Sequence, residues 1–140
     1  MGRIGLIGTY PLSSAEETIA FARKLASLLP SKAIIALSGD LGAGKTTFVQ
    51  GLALGLGIQE PIQSPTFVLL NAYQNLLYHF DLYRLRQAAD FTNLGFEEYF
   101  HLDGICAIEW PDRIETLLPE NTYRVEFSYD GVGRIIQVSQ

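Results

Sequence analysis

The sequence predicts an α/β fold, a mixed parallel and antiparallel central sheet flanked by helices. Three observations predict it. An apolar run, 33–37, leads into Gly39-Asp40-Leu41-Gly42-Ala43-Gly44-Lys45-Thr46, which spells G-x-x-x-x-G-K-T, and residues 47–56 after it read as a helix. Two β-rich runs close on acids, Asp81 and Glu109, as strands do that bring chemistry to one edge of an open sheet. Asp130-Gly131 divides two further β-rich runs, 123–129 and 132–138, a strong hairpin signal.

Taken in order, residues 3–10 read as a first strand that Pro11 ends. Ser13 or Ser14, with Glu16 or Glu17 three residues on, forms a capping box that opens a helix. Phe21, Ala22, Leu25, Leu28 and Leu29 share one face of that helix, and Pro30 stops it. On the helix that follows the glycine-rich loop, Gly51 and Gly55 lie four apart, which suits close packing onto the sheet, and Gly57 suits the C-cap. Residues 66–73 and 76–80 read as a hairpin turning at Gln74-Asn75. Residues 87–100 read as one or two short helices broken near Gly95, 105–108 as a fully apolar strand, and 112–118 as a short helix ended by Pro119.

The bulk numbers bound the function. A chain of 140 residues suits one domain, here spanning 1–140. Hydrophobic residues at 48% and charged residues at 18% place it among globular proteins. A net charge of −5 argues against autonomous, non-specific nucleic-acid binding, which needs a basic face. The single cysteine, Cys106, lies in an apolar run, so it reads as a buried strand thiol and leaves no intramolecular disulfide. Gly5 and Gly8 interrupt the apolar N-terminus and no run reaches membrane-spanning length, so a cytoplasmic protein with no membrane partner is expected.

The glycine-rich loop carries the chemistry and makes the predicted fold P-loop NTPase-like. Its glycines let successive N–H groups curl around an anion, and the helix N-terminus behind it adds unpaired donors and a positive dipole end. Lys45 supplies a point charge for the β- and γ-phosphates, and Thr46 supplies a hydroxyl for Mg²⁺. Two readings stand for Asp81: a partner of Mg²⁺ or water, or a cap of the turn at 82–84. Two stand for Glu109: an acid that holds Mg²⁺ through water or orients the attacking water, or an N-terminal acid of the helix that Pro111 opens. Ser64 and Thr66 follow the loop helix, where nucleotide switches place γ-phosphate sensors, and they also suit a polar loop entering a strand. Glu17 and Thr18 serve either to start the helix or to touch a nucleotide base. Arg134 is a strand residue of open orientation, and His79 reads as a half-buried strand residue rather than a ligand. The absence of an N-K-x-D tetrapeptide favours ATP over GTP. Arg84 and Arg86 are thin support for the arginine lid of a small-molecule kinase, which remains one alternative, a nucleotide-gated binding module being the other.

Five segments together are more specific: GDLGAGKTTF at 39–48, SPTF at 64–67, HFDLYRL at 79–85, LGFEEYF at 94–100 and AIEWPDR at 107–113. They resemble the small ATPase of bacterial tRNA threonylcarbamoyladenosine biosynthesis, the TsaE family, across nearly the whole chain. The resemblance implies a weak, partner-stimulated ATPase that uses ATP and Mg²⁺. It acts on the two proteins of the tRNA threonylcarbamoyl-transferase complex, which modify adenosine 37 of tRNAs reading ANN codons, and meets tRNA only through them. It implies a nucleotide site of Gly39, Asp40, Leu41, Gly42, Ala43, Gly44, Lys45, Thr46 and Thr47, with Ser64 and Thr66 in a switch-like loop and Glu17, Thr18 and Arg134 on the nucleotide side. Thr46 and Glu109 match the Mg²⁺ site, and Glu109, Asp81 and Lys45 match the catalytic set.

Overall fold

The computed structural model describes residues 7–39, 44–63, 69–131 and 133–140. Among these, seven strands form one sheet: β1 (Gly8–Leu12), β2 (Ile34–Gly39), β3 (Leu70–Tyr73), β4 (Leu77–Asp81), β5 (Ile105–Glu109), β6 (Tyr123–Asp130) and β7 (Gly133–Ser139). Their order is β1-β7-β6-β2-β5-β4-β3. The inner four, β6, β2, β5 and β4, run parallel, and β7, β1 and β3 add antiparallel pairs at the two sides. The sheet is therefore mixed, as the sequence predicts.

Period-two alternation divides the core between the two faces of this sheet. On one face, α1 (Ala15–Leu28) and α2 (Lys45–Gly55) pack Leu25, Phe48 and Leu52 against Ile35, Leu37, Ile105 and Val125. On the other, α3 (Ala88–Asn93) and two 3₁₀ segments, Phe96–His101 and Pro111–Leu117, cover Ile34, Phe80, Cys106 and Ile108. Cys106 is a buried thiol, as expected, and burial pushes it up to about 12. No helix among the described residues is long and apolar enough to cross a membrane.

The capping box on α1 is divided between both serines. Ser14 accepts the Glu17 N–H at 3.1 Å, while the Glu17 carboxylate accepts the backbone N–H of Ser13 at 2.8 Å and its hydroxyl at 2.9 Å. At the far end of α2, Gly57 takes φ +83°, its N–H reaches the Leu54 carbonyl, and the Ile58 N–H reaches that of Ala53, a Schellman ending. The β3–β4 turn places Gln74 and Asn75 at φ +54° and +59°, and the β6–β7 turn places Gly131 at φ +64°. Gly95, at φ +77°, separates α3 from the 3₁₀ segment after it.

Four local expectations change. Strand β1 runs through Pro11 rather than ending there, because β1 is an edge strand where a missing N–H breaks no second ladder. Helix α2 begins two residues before the predicted start, at Lys45. The short helix expected over 112–118 spans 111–117 and is 3₁₀ in form, with Ile114 at φ −130° inside it. The fourth change concerns Gly51 and Gly55, which pack against α1 and not against the sheet. A Cβ on Gly51 would lie 2.6 Å from the Ile19 carbonyl oxygen, and one on Gly55 would lie 2.5 Å from that of Arg23. The small residues let two backbones approach, an arrangement a sheet-facing helix would not need.

That contact sets two effects against each other. Ala in place of Gly gains about 1 kcal/mol of helix propensity. Overpacking costs about 1–3 kcal/mol, and here the obstacle is a backbone carbonyl that cannot rotate away. We expect Gly51→Ala to lower the urea midpoint of unfolding despite the better helix former.

Candidate functional site

The register of three parallel strands assembles the site. Leu37 of β2 lies beside Glu109 of β5, and Glu109 lies beside Asp81 of β4. Asp81 and Glu109 end their strands, and Leu37 lies two residues before the end of β2, at the edge where open α/β sheets bind ligands. By alternation, His79, Asp81, Ala107 and Glu109 share the face that carries α2.

Gly39 closes β2 at φ +132°, and a Cβ there would lie 2.3 Å from the Phe127 carbonyl oxygen, so only glycine fits against β6. Its own carbonyl accepts a hydrogen bond from Lys45 Nζ at 3.2 Å. Gly44 is the N-cap of α2 in the left-handed region, at φ +98°, and among the described residues no side chain caps the helix. Lys45 is buried, with Nζ 4.8 Å from the ring centroid of Trp110. Thr46 and Thr47 are half-buried in the first turn of α2. A Cβ on Gly44 would lie 3.6 Å from the Arg134 guanidinium, which places that group beside the loop. Arg134, Glu17, Ser13 and Leu12 line one shallow pocket next to it. Thr18, by contrast, is fully buried, and its hydroxyl donates to the Ser14 carbonyl. Asp40, Leu41, Gly42, Ala43, Ser64 and Thr66 lie outside the described residues.

The two acids stand in different surroundings. Asp81 is half-buried and accepts the Tyr83 N–H at 3.1 Å, so it does cap the next turn, while its position also puts it beside Glu109. Burial raises its carboxyl above the ordinary carboxylate value and the Glu109 charge adds to this, against the Tyr83 N–H, His79 and Lys45. Glu109 is buried, with Oε2 2.7 Å from His79 Nε2. His79 is fully buried rather than half-buried, because β4 is covered on both faces at this point. The pairing is not legible locally; spacing says only that His79 and Asp81, two apart, share a strand face. Trp110, directly after Glu109, takes φ +59°, a strained conformation for a bulky residue, and its ring meets Tyr83 at 5.0 Å and the Arg113 guanidinium at 5.8 Å.

The donor set has a consistent chemistry. A buried ammonium, a guanidinium and an uncapped helix N-terminus suit a polyanion. Thr46 and Glu109 are hard oxygen donors of the kind Mg²⁺ takes. The fold around this set is shared with known proteins. The model of the family described as "Threonylcarbamoyl adenosine biosynthesis protein TsaE" matches residues 12–136. The tRNA threonylcarbamoyladenosine biosynthesis protein TsaE of Treponema pallidum is 46% identical over 114 residues, 80% of this chain and 84% of that one. The Borreliella burgdorferi protein of the same name is 37% identical, over 90% of this chain and 95% of its own. The crystal structure of Bacillus subtilis YdiB superposes with a TM-score of 0.78 at 36% identity, over 93% of this chain and 82% of that one.

The Asp81 carboxyl yields a test of these electrostatics. A folded-state value above the unfolded one means that the ionised form opposes folding. The penalty is full above the folded value, fades as pH falls, and is gone below the ordinary value of 3.8. Asp81→Asn keeps an acceptor for Tyr83 and removes the charge. Its melting temperature should exceed wild type at pH 7 and converge with it in acid, and equal melting at both pH values would contradict the assigned cause.

Proposed function

The chain belongs to the TsaE family and acts in tRNA threonylcarbamoyladenosine biosynthesis, and from that premise we propose that it is the pathway's Mg²⁺-dependent ATPase. On this reading the whole chain serves as one P-loop ATPase unit in the cytoplasm. Its partners are the two proteins of the threonylcarbamoyl-transferase complex, which hold the tRNA.

The observation that carries the reading is the placement of two strand-end acids, Asp81 and Glu109, in register beside the loop helix and its buried Lys45. ATP fits this donor set. The α2 N-terminus, Lys45 and the loop residues 39–44 would hold the phosphates, with Arg134 and Glu17 at the entrance and Ser64 and Thr66 as the switch. Thr46 and Glu109 would hold Mg²⁺, which when bound neutralises charge on the β- and γ-phosphate oxygens. The chain's own residues do the rest by position: Lys45 compensates charge at the transferring phosphoryl group, Glu109 orients water, and Asp81 borders the same edge. Thr18 contributes to the nucleotide side by fixing the start of α1, through its bond to Ser14.

Steady-state ATP hydrolysis in Mg²⁺ buffer, alone and with the two partner proteins, tests the proposal. Slow turnover alone and a clear rise with partners are expected. Lys45→Ala should lose nucleotide affinity, whereas Glu109→Ala should keep binding and lose turnover by at least about 100-fold, the scale of a positioned acid or base. Turnover in Glu109→Ala equal to wild type would remove Glu109 from its role.

A further inference from the structure

Among the described residues, His79 is a fully buried polar side chain beside Glu109 with one ring nitrogen left unpaired. Its relative exposure is 0%; on its face of the sheet Leu77 lies two residues before it, Asp81 two residues after it, Ala107 directly across in β5 and Asn71 directly across in β3. One ring nitrogen, Nε2, lies 2.7 Å from Glu109 Oε2; the other, Nδ1, is buried with no hydrogen-bond partner. A buried polar atom left unpaired costs stability, and an apolar residue of the same volume would avoid that cost.

We propose that His79 is a positioning residue that orients the Glu109 carboxylate. A carboxylate oxygen only accepts, so the nitrogen facing it carries the hydrogen. Nε2 is then the donor and Glu109 Oε2 the acceptor of that bond. The Nε2–H bond fixes the rotation of the carboxylate from below and leaves Oε1 to the ligands of the site. Ala107 makes this possible: a small residue opposite His79 leaves room for the ring to lean along the sheet toward Glu109, one diagonal step away. Metal-ligating groups are commonly oriented in this way by a buried hydrogen-bond partner.

The proposal rests on the reading of Glu109 as the acid of an ATPase, and the experiment separates the two. His79→Phe keeps the volume and removes the donor. His79→Gln keeps a donor near the position of Nε2. Two quantities are read: kcat and KM for ATP with both partner proteins, and the gain in affinity for a non-hydrolysable ATP analogue as Mg²⁺ is added, by titration calorimetry. We expect His79→Phe to lower kcat about 10–100-fold with KM within about twofold of wild type, and to blunt the Mg²⁺-dependent gain. His79→Gln should restore most of both. A His79→Phe variant with wild-type kcat overturns the proposal, and so does a His79→Gln variant no better than His79→Phe. If the wild type itself shows no turnover with partners, the ATPase reading has failed instead. The Mg²⁺ titration then decides on His79 alone: equal gains in wild type and His79→Phe reject it.

Discussion

The register between β4 and β5 is the constraint on which the rest of the site depends. Asp81 stands opposite Glu109, and His79 opposite Ala107, only because the two strands align residue for residue from Leu77 and Ile105 onward. Side chains alternate, so a slip of one residue would carry all of one strand's chemistry to the opposite face. The apolar residues between prevent the slip: Tyr78, Phe80, Cys106 and Ile108 fill one core, Leu77, Ile105 and Ala107 the other. The hydrophobic pattern of two short strands therefore sets the distance between two carboxylates. Packing and chemistry share the same ten residues of β4 and β5, so neither can be altered without the other.

The charges at this edge are held in tension. Two acids lie side by side, one with its carboxyl pushed up by burial and by its neighbour, while the buried ammonium of Lys45 leans on a backbone carbonyl and an aromatic ring. Trp110 adds backbone strain by adopting a left-handed conformation just before Pro111. Strain and unfavourable charge at an edge otherwise built from well-packed strands follow the common pattern in which the core offsets what the site costs.

Much of this was legible in the sequence, for identifiable physical reasons. The glycine-rich loop between an apolar run and a helix, the acids that close two strands, and the turns at Gln74-Asn75 and Asp130-Gly131 are local signals, each carried by neighbouring residues. Gly57 and Gly95 were readable because a left-handed backbone position favours glycine locally. What escaped was long-range. The partner of Gly51 and Gly55 could not be named, because spacing says that a helix packs closely without saying on what. The His79–Glu109 pair joins residues 30 apart in sequence, and nothing local distinguishes a buried histidine with a partner from one without. Pro11 reads as a stop locally, but the rule against proline in strands relaxes at an edge, and edges are a property of the whole sheet.

The same proline has a consequence for how this molecule meets others. An exposed strand edge is a template for another chain to extend. Here β1 closes one side of the sheet with a residue that has no N–H to offer, and β3 closes the other over only four residues, Leu70–Tyr73. Neither margin suits continuation of the sheet into a second polypeptide. Among the described residues, the surfaces left for contact with another chain are side chains on helices and loops rather than a backbone ladder. Margins that do not fuse suit the proposed role, in which the protein joins and leaves a complex.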